Sequence, residues 1–339
     1  MTRSILVLAE DHDIHADAVY DMIKQRGGRA HRINPEVDWG DTNEEAWELP
    51  NGEITWQVDG RVGHRGNIKW GNQEFNLGDI GSVYCRNFSF AQPQDNSSME
   101  EQLRLTESSA GLSQTLQTIN CFWMNDPFHE LKFDSKLVQA IAARKFNLLI
   151  PKTLVTNRPS DAREFISENN DGTVIKQLGD MAFTDLEDQS MQSFGFYTAK
   201  LEKQDLDQLD DVRNAPCLLQ EHIIKSSDIR VTVVGEKLFA HEIDSQSRAK
   251  SKIDFRNVED LPISDFDFPV ETGDKLKNLL QANGIEFAAC DFILTPENEL
   301  FFLEANVSGN WMWLETTEKH PILDAIVDRL IIMSDHRNL

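Results

Sequence analysis

Three groups of residues have types and spacings that could do chemistry. Asp291 and Glu304 belong to two apolar runs, 290–294 and 300–304, which Thr295-Pro296-Glu297-Asn298-Glu299 separates; Asn306 follows two residues later. Read as antiparallel strands, the runs can set Asp291 opposite the 304–306 segment. Residues two apart on a strand share a face, so Glu304 and Asn306 point the same way. Two carboxylates and an amide oxygen make a hard-oxygen site suited to Mg²⁺, which keeps waters and binds substrate phosphates. A solvated hairpin is the plainer reading of the acids alone. Glu304, however, closes a run of four apolar residues, and a buried acid needs a partner.

The second group is a pair of lysines. Lys136 opens an expected helix, and Lys176 ends the run Thr173-Val174-Ile175, from which its amine is expected to enter a cleft. The third is Gln220-Glu221-His222-Ile223, read as a strand that leaves into a short hinge. Such a hinge can offer backbone N–H and C=O groups to an adenine edge, and Asp228 could accept from a ribose hydroxyl; an ordinary strand end is the alternative. Lys225, Arg230, Arg248 and Arg256 supply cations between these groups.

The elements that must position these residues can be read from pattern. Residues 5–9 form an apolar run, 14–26 a helix ended by Gly27-Gly28, and 29–33 a second strand. That is a β-α-β opening, which implies a parallel sheet. From 54 to 84, Asp59-Gly60, Gly66-Asn67 and Gly71-Asn72 mark hairpins. Ser82–Arg86 reads as a strand delivering Arg86 and Asn87 to its C-terminal end, followed by an amphipathic helix carrying Leu103, Leu112, Leu116 and Ile119. A boundary falls near Asn125-Asp126-Pro127. Beyond it come helices over 135–145 and from Pro159, strands at 150–156, 173–176, 194–198 and 217–220, an acidic helix over 203–212, and a terminal helix over 322–333.

The chain has 339 residues, with 57 acidic and 33 basic side chains and a formal charge of −24. Hydrophobic residues make up 40% and charged residues 27%, ordinary values for a globular chain of about two domains. No dense basic run occurs, which argues against duplex nucleic acid or an anionic membrane surface as partner. Cys85, Cys121, Cys217 and Cys290 form no CxxC pair, so a structural zinc is not expected and buried thiols are. The N-terminal apolar run is too short for a signal peptide and no window reaches a membrane span. The expected location is the cytoplasm.

Lys136, Lys176, the 220–223 hinge, Asp228-Ile229-Arg230, Asp291 and Glu304-Ala305-Asn306 follow one another as in the ATP-grasp ligases. The chain resembles the branch that matures ribosomally made peptides, the microviridin-type or graspetide macrocyclases, over nearly its whole length. Ser308-Gly309-Asn310-Trp311-Met312-Trp313-Leu314-Glu315 is the most specific block. The sequence departs from that branch at Val307, Phe255 and Cys85-Arg86-Asn87, where proline, tryptophan and aromatic-arginine-arginine are usual.

The resemblance implies a mixed α/β and α+β architecture. An N-terminal Rossmann-like pre-ATP-grasp domain would span 1–125, a small central α+β domain with the ATP lid and leader-docking surface 126–215, and a C-terminal ATP-grasp domain 216–339. It implies ATP and Mg²⁺ as cofactors, with Asp291, Glu304 and Asn306 on the metal. Lys136 and Lys176 would bridge the α- and β-phosphoryl groups, while Gln220, Glu221, His222, Ile223 and Asp228 bind the nucleoside. Arg230 and Arg256 would stabilise transferring charge or hold the acceptor carboxylate. The implied reaction activates an Asp or Glu side chain of a precursor peptide as an acyl phosphate. A Ser/Thr hydroxyl or Lys amine of that peptide then closes a lactone or lactam. The partner is a peptide with a leader segment and an Asp/Glu-rich core, its leader docking around 183–212, and the enzyme is a homodimer. Two alternatives stand beside this: an intermolecular ligase adding an amino acid to a protein or small acid, and a nucleotide- or peptide-binding module without turnover.

Overall fold

The computed structural model describes residues 3–35, 52–60, 63–70, 73–87, 90, 97–179, 183–184, 191–192, 198–315 and 320–335. The chain opens with β1 (Ser4–Leu8), α1 (Ile14–Gln25) and β2 (Ala30–Ile33). All five residues of β1 are buried, and it pairs in parallel with β2. Asp13 caps α1 by accepting the Ala16 amide at 2.8 Å, and Ala16, Val19 and Ile23 form its buried stripe. The helix ends in a Schellman turn: Gly28 N–H reaches Ile23 O, Gly27 N–H reaches Lys24 O, and Gly27 has φ +77°.

A meander of β3 (Gly52–Asp59), β4 (Gly63–Trp70) and β5 (Gln73–Asn76) follows, then β6 (Ile80–Cys85), which returns to pair in parallel with β1. Helix α2 (Met99–Gln117) and β7 (Phe122–Met124) complete a four-stranded sheet of order β2-β1-β6-β7. Leu6, Leu8 and Val83 on one face of this sheet join Ile68, Trp70, Phe75 and Leu112 in a core. Leu103 was expected on the apolar face of α2, but it is exposed; Leu105, Leu112 and Leu116 are the buried leucines. Residues two apart lie on different helix faces, so burying Leu105 turns Leu103 outward.

Helices α3 (Pro127–Phe133) and α4 (Lys136–Lys145) lead to β8 (Thr153–Thr156), α5 (Pro159–Glu168), β9 (Thr173–Lys176), β10 (Phe183–Thr184), β11 (Met191–Gln192), β12 (Ala199–Lys200) and β13 (Cys217–Glu221). Strands β12-β9-β13-β8 form an antiparallel sheet backed by Ala162, Leu209 and Leu219. A division at 215/216 would separate β13 from β8 and β9, the two strands it pairs with. The acidic helix expected over 203–212 is a 3₁₀ segment, Lys203–Asn214. Its inward residues Leu206, Leu209 and Val212 recur every third position, the period of that tighter helix. The strand expected at 194–198 lies, from 194 to 197, outside the described residues.

The last sheet holds β14 (Ser227–Val234), β15 (Lys237–Ile243), β16 (Ile263–Asp265), β17 (Phe287–Leu294) and β18 (Leu300–Asn306), in the antiparallel order β16-β15-β14-β17-β18. Helices α4 and α6 (Val270–Ala282) cover one face; Ala142, Ala143, Leu276 and Leu279 pack with Ile229, Val231, Phe292 and Phe302. The alternate residues Asp228, Arg230 and Asp291 therefore take the other face. The terminal helix α7 (Ile322–Asp335) packs on Val234, Phe239 and Phe287 of this sheet and also on the N-terminal unit. Ile326 and Leu330 pack with Ile5, Val7 and Ile23 of the N-terminal unit, and Ser82 Oγ donates to Leu330 O at 3.0 Å. No helix among the described residues is long and apolar enough to cross a membrane.

Candidate active site

The floor of the site is the β17–β18 ladder. Asp291 pairs with Glu304 in register, while Phe292 pairs with Phe302, so Leu303 is an extra residue in β18. This bulge resets the alternation of side chains. Without it, Glu304 would share the inward face of Phe302; with it, Glu304 joins Asp291 and Leu303 along the cleft while Ala305 and Val307 enter the core.

Burial is unequal across that pair. Asp291 is the deeply buried acid, whereas Glu304, expected to be buried from the apolar run before it, is half-buried. Burial pushes the Asp291 carboxyl up, against the pull of Arg230, whose Nη1 lies 2.8 and 2.7 Å from its two oxygens. Glu304 adds to the upward push. Desolvation thus outweighs the Arg230 contact at a carboxylate that faces a second one, while Lys136, Lys176 and Arg256 line the same cleft. Two carboxylates in this state fit a hard dication. Among the described residues no cluster of three His, Cys, Asp or Glu could hold a metal by itself. The donor set therefore matches a Mg²⁺ completed by phosphate oxygens and water. Asn306 faces the neighbouring cavity, and its Oδ1 accepts the Ser308 amide at 3.0 Å.

The two lysines reach the cleft from different elements. Lys136 is the first residue of α4, a helix clamped to β18 by Gln139, which donates to Ala305 O and accepts from Ala305 N, both at 2.8 Å. That clamp brings Lys136 Nζ to 3.9 Å from Glu304 Oε2. Lys176 ends β9. Burial lowers its ammonium below the usual lysine range, against the pull of Glu304 and Asp254, and it makes no ion pair among the described residues. A desolvated cation without a close counter-ion is prepared for an anionic ligand.

The hinge closes the cleft. Gln220 is buried and donates to Thr153 Oγ1 at 3.0 Å; Glu221 N–H and Oε2 both meet Lys152; His222 N–H meets Gly172 O. Burial and the neighbouring Lys200 depress the His222 imidazole. Ile223 lines the cleft beyond the last β13 pairing, and its amide and carbonyl make no hydrogen bond among the described residues. Asp228 lines the cleft too, but its Oδ2 holds Lys225 at 2.6 Å.

Lys136, Lys176, Gln220–Ile223, Asp228, Arg256, Asp291 and Glu304 thus surround one cleft of about 120 Å³. A second cavity of about 560 Å³ shares Lys136, Arg256 and Glu304 with it and adds Asn306 and Glu130. Arg256 chelates Asp254, with Nε–Oδ1 at 2.9 Å and Nη2–Oδ2 at 2.6 Å, and remains half exposed. Arg230 lies beneath Asp291 and lines neither cavity. Arg248 is exposed and donates to the Glu259 and Asp260 carbonyls, outside the cleft. Of the thiols, Cys85 and Cys290 are buried as expected, while Cys121 and Cys217 are only half-buried.

Three residues that organise the site had no clear role in the sequence. Arg86 is fully buried, paired with Asp13 at 2.8 Å, and donates to Ser308 O, Gly309 O and Asn310 Oδ1, so it holds the loop after Asn306. Its position at a strand end was legible, but its partners more than 200 residues away were not. Asn125 donates to Phe287 O and Val307 O and accepts from the Glu286 and Phe287 amides. It ties the end of the N-terminal unit to both strands of the acidic ladder. Asp254 orients Arg256.

No protein family and no curated protein is matched by the sequence; the likeness lies in structure. A RiPP-associated ATP-grasp ligase of Chryseobacterium gregarium, solved with ADP and a leader and core peptide, is 26% identical with a TM-score of 0.83, over 99% of this chain and 100% of that one. The macrocyclase MdnC of Microcystis aeruginosa MRC, solved with the precursor peptide MdnA, is 25% identical with a TM-score of 0.79, over 97% and 99%. The macrocyclase MdnB of the same organism is 25% identical with a TM-score of 0.75, over 97% and 99%. Along essentially its full length, this chain has the ATP-grasp fold in the form shared by the ligases and macrocyclases of ribosomally made peptides.

Proposed function

We propose that this protein is an ATP- and Mg²⁺-dependent ligase that closes rings in a ribosomal precursor peptide of the microviridin type, in the cytoplasm. The observation that carries this reading is the shared cleft: it gathers Lys136, Lys176 and the Asp291–Glu304 pair, and a second cavity meets it at Lys136, Arg256 and Glu304. Lys136 and Lys176 bind the phosphoryl oxygens, and the free backbone groups of Ile223 meet the adenine edge. Asp291 and Glu304, with the amide of Asn306 from the adjoining cavity, would hold Mg²⁺, which would supply charge neutralisation at the phosphates.

Arg256 opens on both cavities and is the guanidinium that pairs with the acceptor carboxylate; a planar fork matches a planar anion. Arg230 acts at one remove by fixing Asp291. The γ-phosphoryl passes to a side-chain carboxylate of the peptide and ADP departs. A hydroxyl or amine of the same peptide then attacks the acyl carbon, and phosphate leaves. Such chemistry needs no enzyme nucleophile, because positioning and fixed charge supply the acceleration.

Incubation with Mg²⁺–ATP and a leader–core peptide rich in Thr, Lys, Asp and Glu tests this reading. ADP release with loss of one water per bond in the mass spectrum supports ring closure. A gain in mass would indicate intermolecular ligation instead, and neither change would indicate a binding module. Lys176→Met and Glu304→Gln should each lower ADP release at least ~100-fold with the fold intact; wild-type turnover in either variant would refute the site assignment.

A further inference from the structure

Ring closure needs a proton acceptor, because an attacking hydroxyl or amine must shed a proton as its bond to the acyl carbon forms. On the function proposed above, the peptide's attacking group occupies the cavity that shares Lys136, Arg256 and Glu304 with the nucleotide cleft. The carboxylates lining that cavity are Glu130, Asp134 and Glu304. Glu304 belongs to the metal face, and Asp134 ends α3 with an interaction of its own. Glu130 is held differently. Its Oε1 accepts a 3.1 Å hydrogen bond from Asn125 Nδ2, and Asn125 is fixed by the backbone of Glu286, Phe287 and Val307. Among the described residues no hydrogen bond engages Oε2 and no cation pairs with the carboxylate. This is a half-buried acid on a rigid mount, with one oxygen left to act.

We infer that Glu130 is the general base of the ring-closing step, an assignment that rests on the carboxylate-activating function proposed above. The nucleophile's oxygen or nitrogen bonds to the acyl carbon and its proton passes to Glu130. The bond from that carbon to the phosphoryl oxygen breaks, and phosphate leaves with the electron pair. Glu130 then returns the proton through solvent to the departing phosphate, which ends as the hydrogen phosphate dianion.

The surroundings of Glu130 suit the task. Burial pushes its carboxyl up to about 7; the Asn125 hydrogen bond opposes that, Asp134 and Asp126 add to it, and Arg86 opposes it. Cys85 stands at the end of β6 beside Arg86, while Lys136, Arg256 and Glu304 line the same cavity. A base whose affinity for protons lies near working pH combines availability with driving force.

Glu130→Gln tests the inference, since its amide oxygen can still accept from Asn125. The full chain, Mg²⁺–ATP and the leader–core peptide are assayed with and without hydroxylamine, which attacks acyl phosphates without a base and leaves a hydroxamate. Ring closure by Glu130→Gln should fall by about 100-fold or more while hydroxamate yield stays within about threefold of wild type. The wild-type rate of closure should rise with pH through about 7, and the variant should lose that limb. Glu130→Asp should regain part of it, and Mg²⁺–ADP affinity should match wild type in both. Closure by Glu130→Gln at the wild-type rate, an unchanged pH limb, or an equal loss of hydroxamate would each overturn the assignment. Absence of hydroxamate from the wild type would instead refute carboxylate activation, and the base with it.

Discussion

Asp291, Lys176 and Glu130 share one physical situation: each is an ionisable group whose burial works against its charge. Such shifts gather where catalysis needs them, and they carry a cost in stability. For Glu130 the sign follows from linkage. Its folded value of about 7 lies above the ordinary 4.5, so the folded state holds the proton more tightly. The corresponding stability is full below pH 4.5 and is lost as pH rises through about 7. Glu130→Gln should therefore raise the melting temperature at pH 8 by about 2–4 °C and leave it nearly unchanged at pH 4. Thermal scans at the two pH values check this, and an equal shift at both would remove the linkage. The sequence marked Asp291 and Lys176 by their places at strand positions. It gave no mark to Glu130: Asn125 is a near neighbour in the chain, but the backbone of Glu286, Phe287 and Val307 that fixes Asn125 is far away in it.

At the scale of elements, position is set by a few buried polar clamps more than by propensity. Helix α4 has no side-chain cap at its N-terminus, yet Lys136 in its first turn must sit beside Glu304. Gln139, one turn later, satisfies both the N–H and C=O of Ala305 and fixes that distance. Gln139→Ala would leave two buried backbone groups without partners, at a cost of about 2–4 kcal/mol. Urea unfolding should show that loss with an unchanged m-value, and nucleotide affinity should fall with it. Most strand and helix positions from the β-α-β opening to the 173–176 strand were legible because apolar periodicity is local. Gly66-Asn67, read as a hairpin turn, instead lies inside β4, where Gly66 leaves room for the close approach of Trp56 and Leu77. The bulge at Leu303 was not legible. A run of four apolar residues carries no phase, and only pairing with β17 decides which face each side chain takes.

Across the whole molecule, the N-terminal and C-terminal units are interleaved. Helix α7 seals the first sheet, and Arg86 reaches from β6 into the loop that follows Asn306. The terminal helix was expected with the last domain and does pack there against Val234, Phe239 and Phe287, but the same apolar core also takes in Ile5, Val7 and Ile23 of the N-terminal unit. The charge of −24 acts at this scale as well. An acidic core peptide approaches against a repulsive field that the local cations overcome only at short range. Its affinity should therefore strengthen as salt is raised from low to physiological ionic strength and the Debye length shortens. Calorimetric titration of the leader–core peptide over that range checks this, and a steep fall in affinity would contradict it.

What the sequence determined by itself was the inventory: the acids on two adjacent strands, the amines at a helix start and a strand end, the hinge, and the order that resembles the ATP-grasp ligases. These follow from local rules, since periodicity, turn residues and chain order need no distant partner. The tertiary structure decided which of them share a cavity. It buried Asp291 more deeply than Glu304, placed Arg230 beneath the site and Arg256 on both cavities, and set Glu130 in the cavity that adjoins the cleft. Burial and electrostatics are sums over neighbours from the whole chain, and those neighbours exist only once the fold has brought residues hundreds of positions apart into contact.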